Sequence, residues 1–421
     1  MKILVIGSGG REHAIAKKLL DSDKVKQVYV AKGNPGMLND GIHLVGIAEN
    51  DHEGLIQFAK DNQISWTFVG PEVPLLNGIV DDFTAAELKI FGPTKAAAAI
   101  EGSKNFAKEI MNKYEIPTAK YKTFSSFPEA KAYVKEEGAP IVIKADGLAA
   151  GKGVVVAFTG EEAITALSDM LEGNQFEESS SQVVIEEFLE GEEFSLLSFV
   201  NGEKVYPMAI AQDHKRAYDG DKGPNTGGMG AYSPVPQIPQ KTVDLALESI
   251  VRPIVSGMVK EGCSFTGILY AGLIATNEGL KVIEFNARFG DPETQVVLPR
   301  LTSDLAQIID DLLNGNEPVV TWLEDGITLG VVVAAEEYPK EYQKGMLLPS
   351  NVNNLEVTPY YAGVSIDEQG RLIANGGRVF LLCATAKDVE TAQREVYDEL
   401  EKESLDGFFY RKDIGEKAKK V

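Results

Sequence analysis

IVIKADGLAAGKGVVVA, residues 141–157, reads as a strand, a glycine-rich turn and a second strand. Ile141, Val142 and Ile143 are β-branched and apolar, as a buried strand prefers, and Val154 to Val156 repeat the signal. Between them stand Gly147, Gly151 and Gly153, with Lys144 and Lys152. Glycines let backbone N–H groups approach an anion, and lysines bring compact positive charge. The order is not that of a Walker A loop, and no helix follows at once. An exposed hairpin with a flexible basic turn would also read this way. The weight of a nucleotide-binding reading therefore rests on the flanking chain.

The chain has 421 residues, which predicts two to four domains. With 41 Lys and Arg against 63 Asp and Glu, the net charge of −22 disfavours nucleic acid and anionic membranes as partners. An anionic substrate must then be held by a local cationic cluster. Two cysteines, Cys263 and Cys383, offer no disulfide framework. The opening MKILVIGSGG runs straight into a glycine turn and is too short for a signal peptide, and no apolar run reaches a membrane span, so a cytoplasmic protein is expected.

The first hundred residues alternate strands (Ile3–Ile6, Val28–Ala31, Trp66–Val69, Lys89–Phe91) with helical stretches, which predicts a small doubly wound parallel sheet. Gly7, Gly9 and Gly10 invite a dinucleotide reading. Glu12 falls where the third fingerprint glycine belongs, and no acid follows the second strand to hold a ribose. A smaller phosphate at the helix start remains open, with Asn34-Pro35-Gly36 and Gly70-Pro71-Glu72 at strand ends where ligands of such sheets bind.

Lys104 opens a helix expected to run to Lys113, an unfavourable place for a cation unless an anion is bound there. A β-α-β-β-α-β order spans 120–189, a compact unit suited to a lid, and its last strand ends in Glu186-Glu187-Phe188-Leu189. Backbone groups there can pair with an adenine edge, with Glu193 in reach of a ribose hydroxyl. A long glycine-rich loop is expected over 219–232 and an amphipathic helix over 243–259. A hairpin then ends in Glu284-Phe285-Asn286. Two residues apart on a strand, Glu284 and Asn286 leave the same face, a carboxylate and an amide oxygen suited to Mg²⁺ shared with phosphates. Arg288 follows on that side.

The ordered set Lys104, Lys144, the glycine turn, Glu186–Leu189, Glu193, Glu284, Asn286 and Arg288 resembles the ATP-grasp superfamily. The strings GSGGREHA, GNPG, VGPE, EGSK, QDHKR, GPNTGGMGAYSP, VIEFNARFGDPETQ, NGGRV and RKDIG narrow this to the phosphoribosylamine–glycine ligase family, over residues 1 to about 415. The resemblance implies a multidomain α/β and α+β chain. Residues 1–102 would be the N-terminal doubly wound domain. Residues 103–325 would be the ATP-grasp domain with a lid at about 120–190, and 326–421 a mostly antiparallel C-terminal α+β domain walling the site.

It further implies that ATP, glycine and 5-phosphoribosylamine are converted to glycinamide ribonucleotide, ADP and phosphate in purine synthesis, with Mg²⁺ or Mn²⁺; a monomer is one state left open. Lys104, Lys144, Gly151, Lys152 and Gly153 would hold ATP phosphates; Glu186, Glu187, Phe188, Leu189 and Glu193 the adenosine; Glu284 and Asn286 the metal. Lys144, Arg288 and Asp291 would stand at the chemistry. Gly9, Gly10, Asn34, Gly36, Glu72, Asp213, Lys215, Asn225, Gly227, Gly228, Gly230, Arg288 and Gly290 would line the substrate side. The strand Leu269–Leu273 lacks the second metal carboxylate of many relatives of that fold. Another ATP-grasp carboxylate–amine ligase, or a non-catalytic nucleotide sensor, would share much of this pattern. Retention of both lysines and the Glu–Asn pair argues against the sensor.

Overall fold

The computed structural model describes residues 1–421 except 148–152, 174–181, 350–356, 403 and 421. Gly151 and Lys152 thus lie outside the described residues. Among those described, no helix is long and apolar enough to cross a membrane.

Continuous apolar runs such as Ile3–Ile6 suit strands covered on both faces, and the N-terminal sheet is parallel. Its order in space is His43–Val45, Gln27–Lys32, Lys2–Gly7, Trp66–Val69, Ile90–Phe91. The chain changes direction across the sheet between Lys2–Gly7 and Trp66–Val69. The turns after those strands therefore flank a crevice at the strand ends. The strand His43–Val45 and the helix His52–Asp61 add to the expected elements.

Residues 121–187 fold as Tyr121–Phe124, helix Phe127–Glu137, Ile141–Ala145, Val154–Ala157, helix Gly160–Leu171, Val183–Glu187, the β-α-β-β-α-β order read from the sequence. The sheet order is Tyr121–Phe124, Val183–Glu187, Ile141–Ala145, Val154–Ala157, all antiparallel. Ile141, Ile143, Ala145, Val183 and Ile185 pack with Ala163, Leu167 and Met170 in a core separate from the rest. With a two-residue period, Lys144 and Glu186 are left on the opposite face.

A second antiparallel sheet is ordered Lys204–Pro207, Gly191–Asn201, Thr266–Thr276, Gly279–Asn286. Its helical cover runs Gln240–Ala246, a π turn Leu247–Val251, and Arg252–Lys260.

The C-terminal sheet is built on Ile327–Ala335, Arg378–Ala386 and Thr358–Tyr361. It continues into Gly230–Ser233 and Gln212–Asp213 from the middle of the chain. The expected glycine-rich loop is thus partly strand, with Arg216–Tyr218 paired to Lys222–Asn225. No hydrophobic alternation marks it, because tertiary hydrogen bonds hold it: Met229 N–H to His214 O (2.8 Å) and Val332 N–H to Met229 O (3.0 Å). The last long helix is Val389–Glu401, which Asp388 caps through Thr391 N–H.

Candidate active site

The three regions enclose one cleft of about 520 Å³. The N-terminal sheet contributes Arg11 and Glu72, the helix after it Lys104 and Lys108, the lid Lys144, Gly147, Gly153 and Glu186. Opposite stand Asp213, Lys215, Asn225, Gly227, Glu284, Asn286, Arg288, Gly290 and Asp291, closed off by Tyr338 and Arg378.

At the lid end, Lys144 Nζ lies 2.9 Å from Glu186 Oε2, and Lys108 Nζ lies 3.2 Å from Glu186 Oε1. All three are buried. Burial pushes the Lys108 ammonium down to about 8 against the pull of Glu186, with Lys144 adding to the fall. Lys104 begins its helix as expected, and Ser103 caps that helix through Phe106 N–H. Its unfavourable position at the helix start is eased by Asp146, whose Oδ1 accepts from the Lys104 N–H at 2.7 Å. Lys104 Nζ donates to Gly147 O at 2.8 Å. Gly147, just after the strand Ile141–Ala145, is thereby fastened to the helix N-terminus.

Glu284 and Asn286 share the cleft face of Gly279–Asn286, as their spacing predicts. A bulge opposite Gly272 puts Ile283 out of register, so Val282 and Phe285 both point into the core. Burial acts to raise the Glu284 pKa, but Lys215, Lys144, Lys104 and Arg288 together bring it below the ordinary carboxylate value. With its amide nitrogen turned to donate to Glu101 Oε1 (3.2 Å), Asn286 has its oxygen left for an external partner. Among the described residues no group of three or more His, Cys, Asp or Glu forms a metal nest. Two hard oxygens therefore fit Mg²⁺ or Mn²⁺ only as an ion that also takes phosphate oxygens.

On the far side, Arg288 joins Glu101 (2.8 Å) and Glu72 (3.3 Å). Glu101 is buried and also accepts from Ala287 N–H at 2.8 Å. Burial raises its pKa against the opposing charge of Arg288. Asp291 meets Arg378 Nη2 at 3.2 Å and Gln295 Nε2 at 2.8 Å. Burial acts to raise its pKa, and Arg378 and Arg11 more than offset that. Burial raises the Asp213 carboxyl above its usual range, opposed by Lys215.

The glycine turn of the first domain is filled from within. Glu12 Oε2 accepts the Gly9 N–H at 2.8 Å, and Glu12 Oε1 takes Arg11 Nε at 2.5 Å. A Cβ at Gly7 or Gly70 would come within 2.2 Å of the Glu12 side chain. The turn is glycine-rich to admit this carboxylate. Arg11 is thereby aimed at the cleft, donating to Phe289 O at 3.0 Å.

Several expected ligand residues also make contacts within the fold. Asn34 Nδ2 donates to Ser8 O (2.9 Å) and Tyr361 O (3.0 Å), and a Cβ at Gly36 would strike the Tyr361 ring at 2.2 Å. This motif joins the first and last domains. Gly10 packs on Gln295, 2.9 Å from where a Cβ would be. Gly227 leaves room for the Arg378 guanidinium, and Gly230 for Gly330 O and Ile414. Gly228, at φ +113°, adopts a backbone few other residues tolerate, and its Cβ would meet Pro292 at 2.4 Å. Glu187 pairs with Lys281 at 3.0 Å, Phe188 meets Phe158 edge-on, and Glu193 lies 3.7 Å from Lys215. Among the described residues that line the cleft, Glu187, Phe188, Leu189 and Glu193 do not appear.

Lys108, Glu101, Asp146 and Tyr338 enter the site without having been singled out as site residues, whereas Arg378 stands in the NGGRV turn expected near the substrate. For Lys108 a signal existed: it lies four residues after Lys104, one helical turn on the same face.

The phosphoribosylglycinamide synthetase family models match end to end: the N domain over residues 1–101, the ATP-grasp (A) domain over 102–294 and the C domain over 328–417. Phosphoribosylamine–glycine ligases of Streptococcus pyogenes serotype M3 and Streptococcus pneumoniae serotype 4 are each 61% identical over 419 residues. Those alignments cover 99% of this chain and 99% and 100% of theirs. The crystal structure of phosphoribosylamine–glycine ligase from Thermotoga maritima superposes with a TM-score of 0.85 at 34% identity, covering 98% of this chain and all of that one. The biotin carboxylase domain of Hydrogenobacter thermophilus 2-oxoglutarate carboxylase, at 16% identity and a TM-score of 0.73 over 97% of this chain and 91% of that one, shares the fold alone.

Proposed function

The chain belongs to the phosphoribosylglycinamide synthetase family and is an ATP-dependent phosphoribosylamine–glycine ligase of purine biosynthesis, and from that premise we propose how its residues divide the work. The reading rests on one observation: a cationic lid end with Lys104, Lys144 and Lys108 faces a Glu284–Asn286 pair across a single cleft.

Lys104, Lys144 and the glycine turn through Gly153 take the phosphates of ATP. The base lies against the end of the Val183–Glu187 strand and is read by backbone there, since the Glu186 carboxylate is already engaged by two lysines. Glu284 and Asn286 would hold Mg²⁺ or Mn²⁺, which when bound offsets charge on the β- and γ-phosphates. Glycine and 5-phosphoribosylamine occupy the side lined by Asp213, Lys215, Asn225, Gly227, Arg288, Gly290 and Asp291.

A carboxylate is a poor electrophile. A glycine carboxylate oxygen attacks the γ-phosphorus, the bond to ADP breaks, and glycyl phosphate forms. Lys144 and Arg288 stabilise the charge spread over the transferring phosphoryl oxygens. The phosphoribosylamine nitrogen then attacks the acyl carbon and phosphate leaves. Our reading places the domains at 1–102, 103–325 and 326–421, with 212–213 and 230–233 lending strands to the last. ADP release measured with glycine, the amine, both or neither tests the proposal. Release only with both carbon substrates supports it, and release with neither overturns it.

A further inference from the structure

We propose that Lys108 is a positioning residue for Lys144, acting through Glu186. The inference rests on the ligase reading for its consequence in turnover, but not for its geometry. Lys108 is 2% exposed on the helix Lys104–Lys113, and Lys144 and Glu186 are 5% and 4% exposed on the lid sheet. One carboxylate thus bridges two ammonium groups, 3.2 Å and 2.9 Å away, in a water-poor place.

The bridge decides where Lys144 can reach. Glu186 with Lys144 alone could close on it with both oxygens. Lys108 holds Oε1 and leaves Lys144 only Oε2. A carboxylate shared between two donors also cannot swing wholly onto one of them. Both lysines are pinned to one stretch of backbone as well. Lys144 donates to Ile283 O at 3.2 Å. Lys108 donates to Thr118 Oγ1 at 2.8 Å, and that hydroxyl donates to Val282 O at 2.8 Å. Lid, helix and the strand leading to Glu284 therefore meet at this cluster. The sequence gives Lys108 no phosphate-binding string of its own.

A double-mutant cycle tests the proposal, because two residues that act as one unit lose energy once rather than twice. MgADP is titrated calorimetrically into the parent, Lys108→Met, Lys144→Met and the double variant. Each single change should weaken MgADP about tenfold, the size of one charge-assisted contact. In the Lys144→Met background, Lys108→Met should then cost less than about twofold. Lys108→Arg, which keeps the charge, should recover most of the affinity. In turnover the Lys108→Met effect should fall on KM for ATP and on kcat, with KM for glycine and for the amine unchanged. If Lys108→Met fails to fold, Lys108→Gln replaces it in the same cycle.

An undiminished effect of Lys108→Met in the Lys144→Met background would mean that Lys108 touches the nucleotide itself, and the proposal fails. Parent-like MgADP affinity in Lys108→Met also overturns it. MgADP binding requires neither glycine nor amine. A parent that binds MgADP yet releases no ADP with both substrates would therefore count against the ligase reading alone.

Discussion

Asp291 and Arg378 meet at 3.2 Å across the cleft, the first from the loop after the strand Gly279–Asn286 and the second from the C-terminal sheet. Arg378 also donates through Nη1 to Gly227 O at 2.7 Å and to Asp291 O at 3.1 Å. One guanidinium thus fixes two substrate-side loops in relation to each other. Arg378→Met should raise KM for glycine or the amine by about tenfold or more, the size of one or two charge-assisted contacts, while KM for ATP changes less than about twofold. Steady-state kinetics with each substrate varied in turn checks this. A rise in KM for ATP alone would remove Arg378 from the substrate side.

Glu284→Gln keeps the shape of the side chain and removes the charge. The Mg²⁺ midpoint of activity should then rise well over tenfold, since a hard cation binds through charged oxygen. Asn286→Ala should shift it in the same direction by less. The measurement is a Mg²⁺ titration at fixed ATP. An unchanged midpoint in Glu284→Gln would rule that carboxylate out as a ligand.

His214 is buried against Gly230 and Tyr232, and burial lowers its pKa from 6.5 to about 4, with Arg411 pushing the same way. In the unfolded chain it binds a proton near 6.5, in the folded chain only near 4. The unfolded state therefore holds more protons between those values, and stability falls as pH drops through that window. It is flat above 6.5 and again below 4 so far as this residue is concerned. The loss is on the order of 3 kcal/mol. His13, lowered by burial against the raising effect of Asp40, adds in the same direction. Asp213, raised by burial to about 7, holds an extra proton in the folded chain over the same range and acts in the opposite sense. The test is therefore the difference between parent and His214→Gln in denaturant unfolding, which should turn against the parent as pH falls from 6.5 to 4. An equal slope in that variant would place the proton uptake elsewhere.

The helix Lys104–Lys113 and the hairpin strands were readable because their signals are local: periodicity, a cap, glycines between apolar runs. The shared face of Glu284, Asn286 and Arg288 was readable from a two-residue period. Glu101 was not, because its meaning lies in contact with Ala287, 186 positions on. The partner of Asn34 was hidden for a related reason. A turn at a strand end gives no sign that Tyr361, 327 residues away, packs against it. Glu12 could be seen to break the dinucleotide pattern, but not that Gly7 and Gly70 exist to house its side chain. Such assignments depend on which surfaces meet, and a single sequence does not print them.

The contacts of Asn34 with Tyr361 and of Asp291 with Arg378 also set a time order for synthesis. A ribosome delivers Lys144, Glu284 and Arg288 well before the strand Arg378–Ala386. Until that strand emerges, a nascent chain carries those three residues but lacks the arginine that ties the loops at Gly227 and Asp291 together. The last wall of the cleft to be made is the one that holds two others in place.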